Sequence, residues 1–261
     1  MSAAARLHPT AIVEPGAEIG PDAEVGPYCV VGSRVRLGAG CRLDSHVVLQ
    51  GDTEIGAHCR FFPFSSIGQP PQDLKFRGEE TRLRVGCDNV FREFVTVHVG
   101  TAGGGGETRI GDHNYFMAYA HIAHDCEVGS HTLFANAATL AGHVTIEDGA
   151  TVGAFSGVHQ FCRVGRQAFI GGYTVVTQDA LPYVLTVGNR ATAYGINVVG
   201  LKRRNVGPET IRALKRAYQL LVRSRRPRDR AMADLREDLE RHEEVRYLAE
   251  FLGTSERGVV R

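Results

Sequence analysis

AHIAHDCEVGSHTLFANAATLAGHVTIEDGATVGAFSGVHQFCRVG, residues 120–165, decides the fold. A hydrophobic residue recurs at every sixth position: Ile122, Val128, Phe134, Leu140, Ile146, Val152, Val158 and Val164. Read outward, the same period runs from Ile110 to Val176, and an earlier series runs from Val13 through Ile19, Val25 and Val31 to Ile67. Val85, Phe91 and Val97 lie between the two. Glycine often follows the periodic residue, and a small residue often sits four places after it. A period of six fits neither the helical repeat of 3.6 nor simple strand alternation carried through. It is the hexapeptide signature of a parallel β-helix. Each hexad makes one wall of a triangular prism, so 18 residues make one coil. Glycines are expected to relieve the backbone at the turns. The inward aliphatic column cannot be buried by a single coil, so the coils must stack cooperatively.

The composition excludes several other classes. The net charge of +1 argues against nucleic acid or an anionic membrane as the partner. No apolar run is long enough to cross a bilayer, and MSAAARLHPT at the N-terminus has no signal-peptide core. A soluble cytoplasmic protein without an integral membrane segment is the expectation. Of the six cysteines, Cys29, Cys41, Cys59, Cys126 and Cys162 fall in the small-residue slot. None makes a CxxC pair, so they read as packed thiols, and no metal site is expected.

The repeat breaks twice. It fails after Ile67-Gly68 through QPPQDLKFRGEETRLR, and after Val97-His98 through VGTAGGGGETR. Insertions in a solenoid become loops on one face, often the binding face. Loops are therefore expected at 69–84, carrying Asp73 and Lys75, and at 99–109, where four consecutive glycines suggest a mobile segment. The latter is no phosphate-binding P-loop, because no Gly-Lys-Ser/Thr follows. The β-helix is assigned to 1–185. A connector and a C-terminal α-helical domain are assigned to 186–261. There ETIRALKRAYQLLVRS places Ile211, Leu214, Ala217 or Tyr218, and Leu221 on one face. A second helical stretch follows Pro227, and these helices are expected to cover the open end of the solenoid.

Residues 18 apart stack, so His124 lies below Gly142 and Gly142 below Gln160, while Asp125 lies below His143. His121 and His159 adjoin the same patch. A single turn histidine would be read as a hydrogen-bonding residue between coils. Four histidines converging with a glycine and a glutamine point to chemistry. Such a patch suits acyl transfer to a hydroxyl: imidazole accepts the alcohol's proton during attack on a thioester, and a backbone N–H without a side chain in the way holds the oxyanion.

The strings QDLK (72–75), AHIAHDC (120–126), LAGHV (140–144), VHQF (158–161) and GLKRR (200–204) resemble those of the UDP-N-acetylglucosamine acyltransferases of lipid A synthesis, over almost the whole chain. The resemblance implies a left-handed β-helix and a homotrimer with active sites between neighbouring prisms. It also implies transfer of an (R)-3-hydroxyacyl group from acyl carrier protein to the sugar's 3-hydroxyl, with no cofactor. On that pattern His124 is the general base, Asp125 orients it and Gly142 is the oxyanion donor. Asp73, His121, His143, His159 and Gln160 would hold the sugar or the acyl group. Lys75, Asn197, Arg203 and Arg204 would contact the nucleotide or its phosphates. Gly172, forty-eight residues beyond His124, would set acyl-chain length, with Tyr173 beside it. A glycine there implies a chain of the C12–C14 class. Val199 and Arg190 depart from the family pattern, as do the prolines Pro70 and Pro71 in the first loop. Arg163, Arg166, Lys215 and Arg216 offer a basic patch for the acidic carrier.

Several rivals fit less well. The later N-acyltransferase of the same pathway needs an additional N-terminal domain, and the repeat here begins near residue 11. A variant acting on a 3-amino sugar would share every motif. A γ-type carbonic anhydrase would need zinc-binding histidines five apart, whereas His121 and His124 are three apart. A non-catalytic scaffold would need neither the histidine cluster nor the two insertions.

Overall fold

The computed structural model describes residues 4–224 and 227–261, so the first three residues of MSAAARLHPT lie outside the described residues. Short strands, mostly of two residues, build three parallel sheets that form the walls of a left-handed prism. Among the described residues the first sheet has 11 strands, the second 9 and the third 8. In an uninterrupted coil the partners are 18 residues apart, as in His121↔Thr139 and Thr139↔Gly157.

The sixth-position residues form the interior. Phe61, Phe91, Phe116 and Phe134 are fully buried and stack at centroid spacings of 4.8–4.9 Å. All six cysteines are free, and the five in the small-residue slot are buried. The thiols of Cys29, Cys41, Cys59 and Cys126 donate to carbonyls of the next coil, as Cys126 Sγ does to Ala141 O at 3.2 Å.

The glycines do something other than expected. The left-handed backbone of the corners falls largely on non-glycine residues, including Tyr28, Phe64, Tyr119, Asp125, His143 and Tyr173, with φ of 55–65°. The glycines after the periodic residues are needed for close approach between coils. A Cβ on Gly38 would stand 2.5 Å from the Gly56 carbonyl carbon, and one on Gly165 would stand 2.5 Å from Pro182 N. No real Cβ tolerates such contacts, so these positions fix the tight rise of the coil.

Both insertions leave the prism at one corner, between the second and third sheets. The first runs between strands Ser66–Gln69 and Arg82–Val85, the second between Thr96–His98 and Glu107–Ile110. Pairing resumes across each break, with Ile55 beside Val85 and Val85 beside Ile110. Strand residues therefore occupy both ends of the first expected loop and the C-terminal end of the second.

The segment read as a connector is ordered structure. Strand Val184–Val187 continues the first sheet, beside Phe169–Ile170, and turns back antiparallel into Thr192–Ile196. The boundary expected at 185 falls inside this strand. Helix α1 (Val198–Arg203) follows, and then α2 (Pro208–Tyr218). A π turn at Gln219–Arg223 shifts the buried face of α2's continuation from Leu221 to Val222. The second helical stretch is broken into α3 (Arg228–Asp234), α4 (Arg236–Arg241) and α5 (Glu243–Thr254). Ile211, Leu214, Leu248 and Phe251 pack with Tyr183, Val184 and Ala193 of the hairpin in a core separate from that of the coils. The helices thus cover the terminal strands. Among the described residues, no helix is long and apolar enough to cross a membrane.

Candidate active site

His124 sits at the same corner as the two insertions, one coil above the second. The turn that follows strand His121–Ile122 places Asp125 in the left-handed region at φ 57°, and its carboxylate lies against the preceding imidazole. His124 Nδ1 and Asp125 Oδ2 are 2.6 Å apart. A carboxylate only accepts, so the shared proton is on Nδ1 and Nε2 is the basic nitrogen. The carboxylate is itself held. The Thr101 backbone N–H donates to Oδ1 at 2.7 Å and the Thr101 hydroxyl to Oδ2 at 2.6 Å, while Asp125 N–H donates to Thr108 Oγ1. The Asp125 side chain is 1% exposed. The glycine-rich insertion, expected to be mobile, is therefore anchored at Thr101 beneath the histidine. Gly104 lies so close to Asp125 that a Cβ there would overlap the carboxylate.

Gly142 stacks above His124. A Cβ at this position would fall 2.5 Å from His124 Cε1 and 2.7 Å from Nε2. Glycine is thus required for the imidazole to occupy its place. Among the described residues, the Gly142 N–H donates to no other group.

A cavity of about 500 Å³ opens beside this pair and climbs the outer face of the second sheet. Its lower end is polar, with Gln72, His98, His121 and His124; its upper walls include Leu140, Gly157, Val158 and Val175. His159 also lines it. His143 stands beside the corner, its ring stacked on Phe161 at 4.4 Å and its Nε2 3.8 Å from Asp125 Oδ2. Asp73, Lys75 and Gln160 lie outside the lining. Asp73 Oδ1 accepts from the Lys75 backbone N–H at 2.9 Å, and its charge favours the protonated form of His143.

Burial pushes the pKa of His121 and His143 below the ordinary histidine value, and proximity to His124 adds to both effects. His98 is pushed to about 4, by burial first and then by His121 and His124. The lowered values favour the neutral form of these three rings, which lessens repulsion of a positive charge developing on His124.

His124, Asp125 and His143 bring their donor atoms within 4.8 Å of one another, a spacing a metal could use. The details favour a hydrogen-bonded pair. His124 Nδ1 and Asp125 Oδ2 stand closer than the roughly 3.3 Å between two ligands of a tetrahedral zinc. Asp125 already accepts from Thr101 and His124.

A second cavity, of about 780 Å³, lies against the first sheet. Tyr115, Leu133, Phe169, Leu185 and Val199 give it apolar walls, and Asn197, Arg203 and Arg204 line it. Two of these three polar groups already have partners in the fold. Asn197 caps α1 by accepting from Gly200 N–H and donates to Gln167 O. Arg204 donates to Gly149 O at 2.9 Å and to His131 O at 3.3 Å. Arg203 is exposed. The stacked His113 and His131 also border this cavity. Sequence reasoning missed them although their 18-residue spacing, which stacks residues on successive coils, could have paired them; it missed Thr101 and His98 because each falls where the hexad stops.

Gly172 lies at another corner, between the first and second sheets, and does not line the histidine cavity. Three of the four candidate carrier contacts are already ion-paired: Arg163 with Glu147, Arg166 with Glu243 and Arg216 with Asp238. Arg163 and Arg166 also stack on Phe251 and Tyr247, tying α5 to the coils. Lys215 remains exposed.

A parallel β-helix of hexads with a hydrogen-bonded Asp–His pair at one corner has the build of a hexapeptide-repeat acyltransferase, and the family profile of bacterial transferase hexapeptides matches residues 107–142. A second profile, described as UDP N-acetylglucosamine O-acyltransferase, domain 2, matches 179–260. The chain is 50% identical over 198 residues to the acyl-[acyl-carrier-protein]–UDP-N-acetylglucosamine O-acyltransferase of Alkalilimnicola ehrlichii, covering 76% of this chain and 77% of that one. Among solved structures, LpxA from Acinetobacter baumannii is 43% identical with a TM-score of 0.94, over 98% of this chain and 99% of that one. The Francisella novicida UDP-N-acetylglucosamine acyltransferase is 37% identical with a TM-score of 0.93, over 98% and 94%. The chain belongs to the UDP-N-acetylglucosamine O-acyltransferase family and is an O-acyltransferase.

Proposed function

We propose that this enzyme transfers an (R)-3-hydroxyacyl group from acyl carrier protein to the 3-hydroxyl of UDP-N-acetylglucosamine, the first step of lipid A biosynthesis. The observation that carries this reading is the His124–Asp125 pair, held by Thr101 beside the unengaged Gly142 N–H. His124 Nε2 takes the hydroxyl proton as the sugar oxygen attacks the thioester carbonyl carbon. The carbonyl becomes an oxyanion that the Gly142 N–H stabilises. The C–S bond then breaks and the proton passes from His124 to the departing thiolate, leaving an ester and free carrier thiol. Asp125 keeps the proton on Nδ1 and offsets the charge that forms on the ring.

The two cavities support a site shared between copies. In a triangular prism, the corner between the second and third sheets stands opposite the first sheet. One chain therefore presents His124 and Arg203 on opposite sides. A homotrimer in which the first-sheet cavity of one copy faces the histidine corner of the next would let one nucleotide sugar reach both. Asp73, His121, His143, His159 and Gln160 would then hold sugar and acyl group around His124, while Lys75 and Arg203 meet the phosphates, with Asn197 and Arg204 building the wall behind Arg203. The decisive measurement is acyl transfer from a ladder of hydroxyacyl-carrier lengths to UDP-N-acetylglucosamine. Turnover that depends on the 3-hydroxyl supports the reading, and its absence at every length overturns it.

A further inference from the structure

His98 is a polar residue of the histidine cavity that the scheme above leaves without a task. It ends the strand Thr96–His98 just before the glycine-rich insertion, one coil below His121. It is 4% exposed, yet its ring lines the cavity beside Gln72 and His121. The His121 ring stands edge-on to it, at 4.9 Å between centroids and 76°. His121 Nδ1 is engaged with Thr96 Oγ1 at 2.7 Å, so His121 is already oriented without help from His98. His98 Nδ1 is buried and has no hydrogen-bond partner.

Buried polar atoms of native proteins rarely lack partners, and each exception calls for a reason. Nε2 is not among the sealed, unpaired atoms, so it is the nitrogen through which the ring meets the cavity. An orphaned N–H is rarer than an unused lone pair. The proton therefore belongs on Nε2, and the ring offers one N–H donor to the cavity's polar end. The ring is neutral at ordinary pH, so this donor has no special attraction for phosphate. It matches an uncharged acceptor: a hydroxyl or an amide carbonyl.

We propose that His98 is a substrate-binding residue whose Nε2–H donates a hydrogen bond to an uncharged oxygen of the acceptor's amino sugar, turning its 3-hydroxyl toward His124. The proposal rests on the nucleotide-sugar reading of the site. It adds to that reading a sugar contact that is independent of the nucleotide and of the acyl donor.

The test uses two substitutions in the full-length assembled enzyme. His98→Phe keeps a planar ring and removes the donor. His98→Gln places an amide N–H near the reach of Nε2. Loss of one hydrogen bond to a neutral acceptor predicts a KM for UDP-N-acetylglucosamine raised about ten-fold in His98→Phe. The carrier KM and the affinity for UDP alone should stay unchanged, and His98→Gln should recover most of the loss. The circular dichroism melt and oligomer elution of each variant check folding. An unaltered sugar-nucleotide KM in a folded His98→Phe overturns the proposal, as does an equal loss in both variants or an equal weakening of UDP. Wild-type enzyme that transfers nothing to UDP-N-acetylglucosamine sinks the underlying reading instead, so the two failures are distinct.

Discussion

The histidine corner and the cavity on the first sheet are built by the same coil, yet they hold their polar groups in different ways. At the corner, an insertion supplies the restraint: Thr101 fixes Asp125, and Asp125 fixes His124. On the first sheet, the coil walls are apolar and two of the three polar groups are tied to backbone atoms, which leaves Arg203 free to meet a ligand. On the proposed reading, the corner is preorganised for chemistry and the other surface for adhesion of a nucleotide. Because they face opposite ways, the proposed site would draw one from each of two neighbouring copies.

That contrast can be broken most sharply by separating the two surfaces. His124→Ala should lower kcat by ~10²–10⁴-fold, the usual range for a general base. Arg203→Ala should chiefly raise KM for the nucleotide sugar, by about ten-fold, the order expected of a single charge-assisted contact. When the two variants are unfolded together and reassembled, some interfaces pair an intact His124 with an intact Arg203 from the next copy. Activity above the sum of the separate variants is expected. A mixture that only averages its components would confine the site to one chain.

Gly142→Ala tests how tightly the corner is built. Its new methyl would overlap the His124 ring, although the backbone N–H survives. We expect kcat to fall by about 10²-fold, comparable to losing an oxyanion donor, with near-normal thermal stability. A wild-type kcat would mean that the ring has another productive position.

The fold was legible because burial imposes the period of six on Val13 through Val176 regardless of detail. The stacking of His124 under Gly142 followed from the 18-residue coil. What escaped was anything set by contacts between distant elements. The anchoring of the glycine-rich insertion depends on Asp125, 24 residues from Thr101, and glycine content alone suggested mobility. The glycines after the periodic residues looked like turn formers, but the next coil's backbone is what excludes a side chain there. The π turn at Gln219–Arg223 shifts a helical face that periodicity placed on Leu221. The first-sheet cavity joins coil residues to α1, a juxtaposition with no local signal. Arg163 and Arg166 read as surface charge in the sequence, and their stacking on Phe251 and Tyr247 of α5 has no local signal.

A smaller effect separates the two surfaces by pH. His98 is buried and His121 half-buried, both with depressed pKa values, so the unfolded chain binds their protons more readily than the folded one. Stability should therefore be full above about pH 6.5 and fall as the pH drops toward the folded value, about 4 for His98. For His98 alone the limit is ~3 kcal/mol. Denaturant midpoints at pH 7.5 and 5 should differ less in His98→Gln than in wild type. Equal differences would mean that His98 titrates alike in both states.

The smallest change concerns chain length, and it weighs a corner against a wall. Thr139, Gly157 and Val175 pair in register up the second sheet, and Gly157 and Val175 line the upper half of the histidine cavity. A Cβ at Gly157 would meet nothing within 4 Å, so this wall accepts a larger residue that fills the groove. Gly172 is at the neighbouring corner, between two and three coils above His124, or about 13 Å at ~4.8 Å per coil. A Cβ there would lie 3.3 Å from Ala154 O, a tight contact that a small shift relieves. An acyl chain that only climbs the wall would be shortened by Gly157→Leu and would ignore Gly172→Met. A chain that turns out over the corner, toward a neighbouring copy, would be shortened by Gly172→Met as well. Because glycine puts no side chain at this corner, we expect wild-type preference near C12–C14 and a shift of a few carbons toward shorter donors in Gly172→Met, with total activity on the best donor little altered. Competition between carriers of different lengths reads the shift directly. An unchanged preference in Gly172→Met, alongside a shortened one in Gly157→Leu, would move the length limit from the corner to the wall.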